Sequence, residues 1–176
     1  MTERKSGRLT ARDIALVGVM VAVIEACKFA LLEIPNVELT TFWIIMFTLY
    51  FKKRVFFVIP VFIAIEGAVF GFGLWWIMYL YVWPLLALVT LALSKKMDAI
   101  VAAAVSCFFG LSFGLLCAIP YLFLGTDTKS GFETAFTWWI AGIPWDIAHG
   151  IANLVIMLVL YRPVTSVMKR ISKQRQ

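Results

Sequence analysis

From Leu39 to Leu93 the chain carries only four charged residues, Lys52, Lys53, Arg54 and Glu66. Long apolar runs of this kind admit few folds, because backbone N–H and C=O groups in lipid must be paired within the segment. Helices satisfy that demand without help from neighbours. The predicted fold class is therefore all-α, an integral membrane protein with a bundle of six transmembrane helices. The apolar runs place them at about 11–31, 39–51, 55–72, 75–93, 98–124 and 136–161, in a single membrane domain covering 1–176. The second is short for a full crossing. Composition agrees: 62% of residues are hydrophobic and 15% charged, against about 25% charged in soluble domains.

A net charge of +6 suggests nucleic acid until its distribution is read. Arg4, Lys5, Arg8 and Arg12 precede the first apolar run, and Lys52, Lys53 and Arg54 follow the second. Lys95 and Lys96 follow the fourth, and Arg162, Lys169, Arg170, Lys173 and Arg175 follow the last. Basic clusters at alternate ends of successive spans are the positive-inside bias, which predicts cytoplasmic N- and C-termini. The expected partner of this charge is the lipid bilayer, with no nucleic acid. The acidic loop residues fall on the opposite side, apart from Glu3, Asp13 and Asp98. The first apolar run is long enough to span and lacks a small-residue cleavage site, so no cleavable signal peptide is expected. Cys27, Cys107 and Cys117 have no metal-ligand spacing and read as small apolar residues, with no metal site.

Two stripes of small residues permit close helix approach: Ala11, Ala15, Gly18, Ala22 and Ala26 on the first helix, and Ala102, Ser106, Gly110 and Gly114 on the fifth. Either could pack within the chain or dock another membrane subunit. Pro60, Pro84, Pro120 and Pro144 mark places where helices bend or lose a backbone bond.

Polar groups within spans are costlier, about 2.5–3.5 kcal/mol each at mid-helix. Glu25 and Lys28, three apart, are spaced to neutralise each other. Glu66 has no local partner. Asp146, His149 and Asn153 share one face of the last helix, either lining a cavity or bonding helices together. Trp76, Tyr79 and Trp83 form a face of the fourth helix, and Trp145 lies about two turns into the sixth. Rings beside polar groups suit a pocket for a ring-bearing solute, though they also pack helices. The segment Leu32–Thr40 adds Asn36 and Glu38 at the mouth of the bundle. The candidate substrate-binding set is Asn36, Glu38, Glu66, Trp76, Tyr79, Trp83, Trp145, Asp146, His149 and Asn153.

The Pro35-Asn36-Val37-Glu38-Leu39 loop, the run from Trp138 to Asn153 and the first-helix stripe together resemble the substrate-binding (S) components of energy-coupling-factor (ECF) transporters, most of all cobalamin-type members. The resemblance extends over nearly the whole chain. It implies a multi-pass protein of the bacterial cell membrane that captures an extracellular vitamin. It also implies partners: a membrane coupling (T) subunit docking on the first helix, and two ABC ATPases that power transport. The family's Ala-x-x-x-Ala docking pattern is matched at Ala11/Ala15 and again at Ala22/Ala26. The implied substrate is cobalamin, with pantothenate, a pyrimidine or B6-type precursor, or a deazapurine as alternatives. The chain contains no phosphate-binding Gly-x-x-x-x-Gly-Lys-Ser/Thr loop, so no enzyme activity, catalytic residue or bound cofactor of its own is expected.

A rival from another class is a rhomboid-like intramembrane serine protease. Gly110-Leu111-Ser112-Phe113-Gly114 and the single His149 could supply a Ser–His pair, although Gly110 and Gly114 already belong to a packing stripe. A structural membrane scaffold is the third reading.

Overall fold

The first turn of the first helix is fixed by a reciprocal cap. Thr10 Oγ1 accepts from the Asp13 amide at 3.2 Å, while Asp13 accepts from the Thr10 amide at 3.2 Å. From there the computed structural model describes residues 10–125 and 129–173, with the backbone alone at Lys173. Glu3, Arg4, Lys5, Arg8, Arg175 and residues 126–128 of the last connection lie outside the described residues. The described chain is all-helical: α1 (Ala11–Ala30), α2 (Thr40–Phe51), a 3₁₀ turn (Lys52–Arg54), α3 (Val55–Phe70), α4 (Leu74–Leu93), α5 (Ala99–Ala118) continued by a 3₁₀ segment (Ile119–Phe123), and α6 (Gly131–Lys173).

Three of these are long and apolar enough to cross a membrane: α4, α5 with its 3₁₀ extension, and α6. α1 has the length but carries Asp13, Glu25 and Lys28, whereas α2 and α3 are 12 and 16 residues long, short of the roughly 20 needed for a full crossing. Much of the exterior is apolar, with Phe108, Leu88 and Ile151 each more than half exposed, as a lipid-facing surface requires.

α2 is the core of the bundle. Nine of its twelve residues are buried, and it packs against every other helix. Its sequence, Thr-Thr-Phe-Trp-Ile-Ile-Met-Phe-Thr-Leu-Tyr-Phe, is apolar all round and contains no charge, the pattern of a helix enclosed on all sides. The buried Thr48 hydroxyl is satisfied by donating to the Ile44 carbonyl at 2.6 Å, as Thr90 does to Leu86 in α4 at 2.8 Å. At the start of α2, Glu38 Oε1 accepts from the Thr41 hydroxyl at 2.8 Å, placing a carboxylate at the positive end of the helix dipole.

The two small-residue stripes part company. On α5, Ala102, Ser106, Gly110 and Gly114 are all buried. A Cβ on Gly110 would stand 2.8 Å from the Gly150 Cα of α6, so the absence of side chains lets these two backbones meet. On α1, Ala11, Ala15, Gly18, Ala22 and Ala26 are all exposed, and nothing approaches within 4 Å of a Cβ built on Gly18. Gly110→Val is accordingly expected to destabilise the bundle by about 1–3 kcal/mol, whereas Gly18→Val is expected to be silent. Thermal unfolding in detergent distinguishes them.

The helices run unbroken through Pro60, Pro84 and Pro144. Only at Pro120 does the backbone change, from α to 3₁₀. α6 is longer than the 136–161 expected from apolarity. Ser130 and Glu133 cap its start reciprocally, at 2.8 and 3.3 Å, and its polar C-terminal turns continue past Arg162. Apolarity marks the lipid-compatible part of a helix, and capping decides where the helix begins.

The basic connections gather at one end. Arg54 reaches Asp13 at 2.9 Å, and the Tyr161 hydroxyl donates to the Met97 carbonyl at 2.6 Å. At the opposite end, the 31–39 connection folds over the bundle.

Candidate functional site

Asn36 sets the path of that connection. Its φ of 57° is left-handed, a conformation that Asn tolerates better than most residues. The chain turns there and presents Glu38 toward α6. Glu38 Oε1 lies 3.2 Å from His149 Nε2, which fastens the loop to the last helix. Burial opposes the charge on Glu38. The His149 hydrogen bond and charge, with the Thr40 and Thr41 hydroxyls, more than offset it and hold the carboxyl down to about 2 from its ordinary 4.5. The latch therefore stabilises the loop fully above the ordinary carboxylate range and is lost as pH falls toward 2.

Beneath the loop lies a cavity of about 220 Å³. Loop residues Asn36, Val37 and Glu38 line one side of it, and Lys28, Tyr79, Trp83, Phe113 and His149 form its polar and aromatic wall. Tyr79 and Trp83 meet edge to face at 5.3 Å between ring centroids, and Phe113 meets the His149 ring edge-on at 5.0 Å. Four elements besides the loop thus place rings, an ammonium and an imidazole around one space.

Of the ten residues proposed from the sequence, Asn36, Glu38, Tyr79, Trp83 and His149 line this cavity. The other five do not. Asp146 accepts from the Gly114 amide at 2.8 Å. Asn153 donates to the Ser106 carbonyl at 3.3 Å and contacts the Thr41 hydroxyl at 3.4 Å. Both bond α6 to its neighbours, so the face they share with His149 divides into one cavity residue and two that tie helices together. The Trp76 indole donates to the Ile63 carbonyl at 2.8 Å and packs on Phe72. Trp145 is 57% exposed and points away from the bundle. Glu66 is buried and pairs with Lys28. This last contact corrects the pairing expected from spacing: Lys28 neutralises Glu66 on α3, not Glu25 on its own helix.

No family model, curated protein or solved structure matches this chain. The site must therefore be read from its own chemistry. Of the wall residues, Lys28 and Phe113 were missing from the sequence-derived set, as were the apolar loop residues such as Val37. Lys28 could have been found from its place one turn before the loop. Phe113 carried no signal among fifteen phenylalanines.

His149 is engaged with Glu38, and Ser112 borders a separate apolar recess beside Leu85, Val89 and Phe108. Among the described residues no group of three or more His, Cys, Asp or Glu comes together as a metal site.

Proposed function

We propose that this chain is a membrane-embedded solute-capturing subunit of the ECF S-component kind. All six helices would lie in the bilayer, with the loop-covered cavity facing outward and the basic end facing the cytoplasm. The observation that carries this reading is the cavity itself: rings, an ammonium and an imidazole gathered beside a loop tied to α6 by the Glu38–His149 hydrogen bond. The edge-on rings suit a flat or ring-bearing solute, and Lys28 with His149 suits an acceptor-rich or anionic group on it. A scaffold would gain nothing from leaving such a space open, and Ser112 borders a different recess from the one His149 lines, which weighs against the protease reading.

The size of the cavity bears on the substrate. At about 220 Å³ it is below the roughly 300–1,000 Å³ of sites for drug-sized ligands. A space of this size favours a small vitamin or precursor, such as pantothenate, a pyrimidine or B6-type precursor, or a deazapurine. The resemblance to cobalamin-type members supports the second reading, which requires the Glu38–His149 latch to open and the loop to lift from the bundle before a corrin ring can enter.

The exposed α1 stripe is the proposed docking face for a membrane coupling subunit, because close packing in lipid depends on small residues. Transport would then draw on two partner ATPases. In proteoliposomes, the chain alone is expected to bind solute without ATP and to accumulate none. With the partner subunits, Ala15→Leu with Ala22→Leu is expected to weaken assembly and leave binding intact. ATP-independent accumulation by the chain alone would refute the proposal, and undiminished assembly of the double variant would move docking off α1.

A further inference from the structure

At the basic end of the bundle, α6 carries Arg162, Thr165 and Lys169 at gaps of three and four, so the three share one face. That face borders a recess of about 520 Å³, lined also by Tyr50 of α2 and by Met97, Asp98 and Ile100 around the start of α5. The Tyr161 hydroxyl, donating to the Met97 carbonyl at 2.6 Å, ties the two sides of the recess together.

Charge decides what the recess can hold. The ion pairs among the described residues engage Lys28, Arg54 and His149. Arg162 and Lys169 take part in none of them, and both are exposed. Asp98 is the acidic residue of the recess. Its Oδ1 already accepts from the Ile100 and Val101 amides, at 2.9 Å each, as the N-cap of α5. Two cations against one carboxylate leave one positive charge, which a singly charged anion balances. The Thr165 hydroxyl is sealed from solvent and is not counted as a donor.

A phosphodiester suits this place better than a bare anion. The Arg162 guanidinium presents paired N–H donors that match phosphate oxygens, and the Lys169 ammonium adds a second charge. The recess also has an apolar side, Met97 and Ile100, the latter 74% exposed. A soluble anion would leave that side uncovered, whereas the glycerol and acyl region of a lipid would cover it. Arg162 directly follows the apolar part of α6, and basic residues at such an edge stand at headgroup depth.

We propose that this recess binds the headgroup of one anionic phospholipid, its phosphodiester held between Arg162 and Lys169 beside the Tyr50 hydroxyl. This goes beyond the general attraction of basic loops to a charged leaflet, because it selects one molecule at one place. It depends on the basic end lying at a membrane surface and is independent of solute capture.

The test is native mass spectrometry of the delipidated full chain in mild detergent, titrated with phosphatidylglycerol or with phosphatidylcholine. One phosphatidylglycerol is expected to stay bound to the chain in preference to phosphatidylcholine. Arg162→Gln with Lys169→Gln should weaken its binding about thirtyfold, the worth of two charges near a headgroup. Lys95→Gln with Lys96→Gln removes equal charge from the same end but outside the recess. It should cost about threefold or less, because salt screens diffuse attraction. Circular dichroism checks that both double variants stay helical, and excess inorganic phosphate should leave the lipid in place. Equal retention of the two lipids by the wild type, or equal losses in the two double variants, would overturn the proposal. Displacement by inorganic phosphate would overturn it too, by assigning the recess to a soluble anion.

Discussion

Trp83→Ala is expected to destabilise the protein by about 3–5 kcal/mol and to abolish solute capture. Trp83 is 1% exposed. Its ring meets Phe62, Tyr79, Phe109 and Phe113 with centroids 5.3 to 6.2 Å apart, so it joins α3, α4 and α5. Its indole N–H has no partner. Truncation therefore sacrifices ring packing and opens a void, and no hydrogen bond is lost with it. Trp83→Phe separates the two roles. It restores most of the packing but not the full width of the ring wall, so the thermal midpoint should recover further than the solute affinity. Helical circular dichroism on heating reads the first, and titration of the bound solute reads the second. Equal recovery of both would reduce Trp83 to a packing residue.

Lys28→Met is expected to cost about 3–5 kcal/mol for a different reason. The substitution keeps much of the side-chain volume but strips Glu66 of its counter-charge in a place with 1% exposure. The loss comes from the carboxylate left behind more than from the pair itself. Replacing Glu66 as well, in Lys28→Met with Glu66→Met, should recover most of the stability, because two apolar side chains of similar shape remove both charges together. Thermal unfolding of the wild type, both singles and the double closes that cycle. If the double variant is no more stable than Lys28→Met alone, the ion pair is not what holds α1 to α3.

Much of the helical layout was legible in the sequence, because apolar runs between basic clusters have few alternatives in lipid. The all-α class follows from that, whereas α6, Gly131–Lys173, runs past both ends of the 136–161 read from its apolar run. Capping and enclosure were less legible. Ser130 and Glu133 start α6 before its apolar run, and the enclosure of α2 comes from packing against every other helix. The site was half legible. His149, Tyr79 and Trp83 stood out as costly or ring-bearing groups deep in apolar helices. Helical spacing placed Asp146, His149 and Asn153 on one face but could not tell which of them α5 would meet. The close approach of Gly110 to Gly150 decides that, by bringing Asp146 and Asn153 within bonding distance of α5. Spacing also favoured Glu25 for Lys28, whereas the contact that forms is with Glu66, 38 positions away. Local periodicity has no access to contacts between helices.

Native mass spectrometry of the protein purified from its own membrane in mild detergent bears most directly on solute capture. The expected spectrum shows a fraction of the chain carrying one small, ring-bearing solute. That adduct should persist without ATP and disappear in Trp83→Ala. A spectrum containing only lipid adducts, unchanged by Trp83→Ala and by added vitamins including cobalamin and pantothenate, would contradict the account.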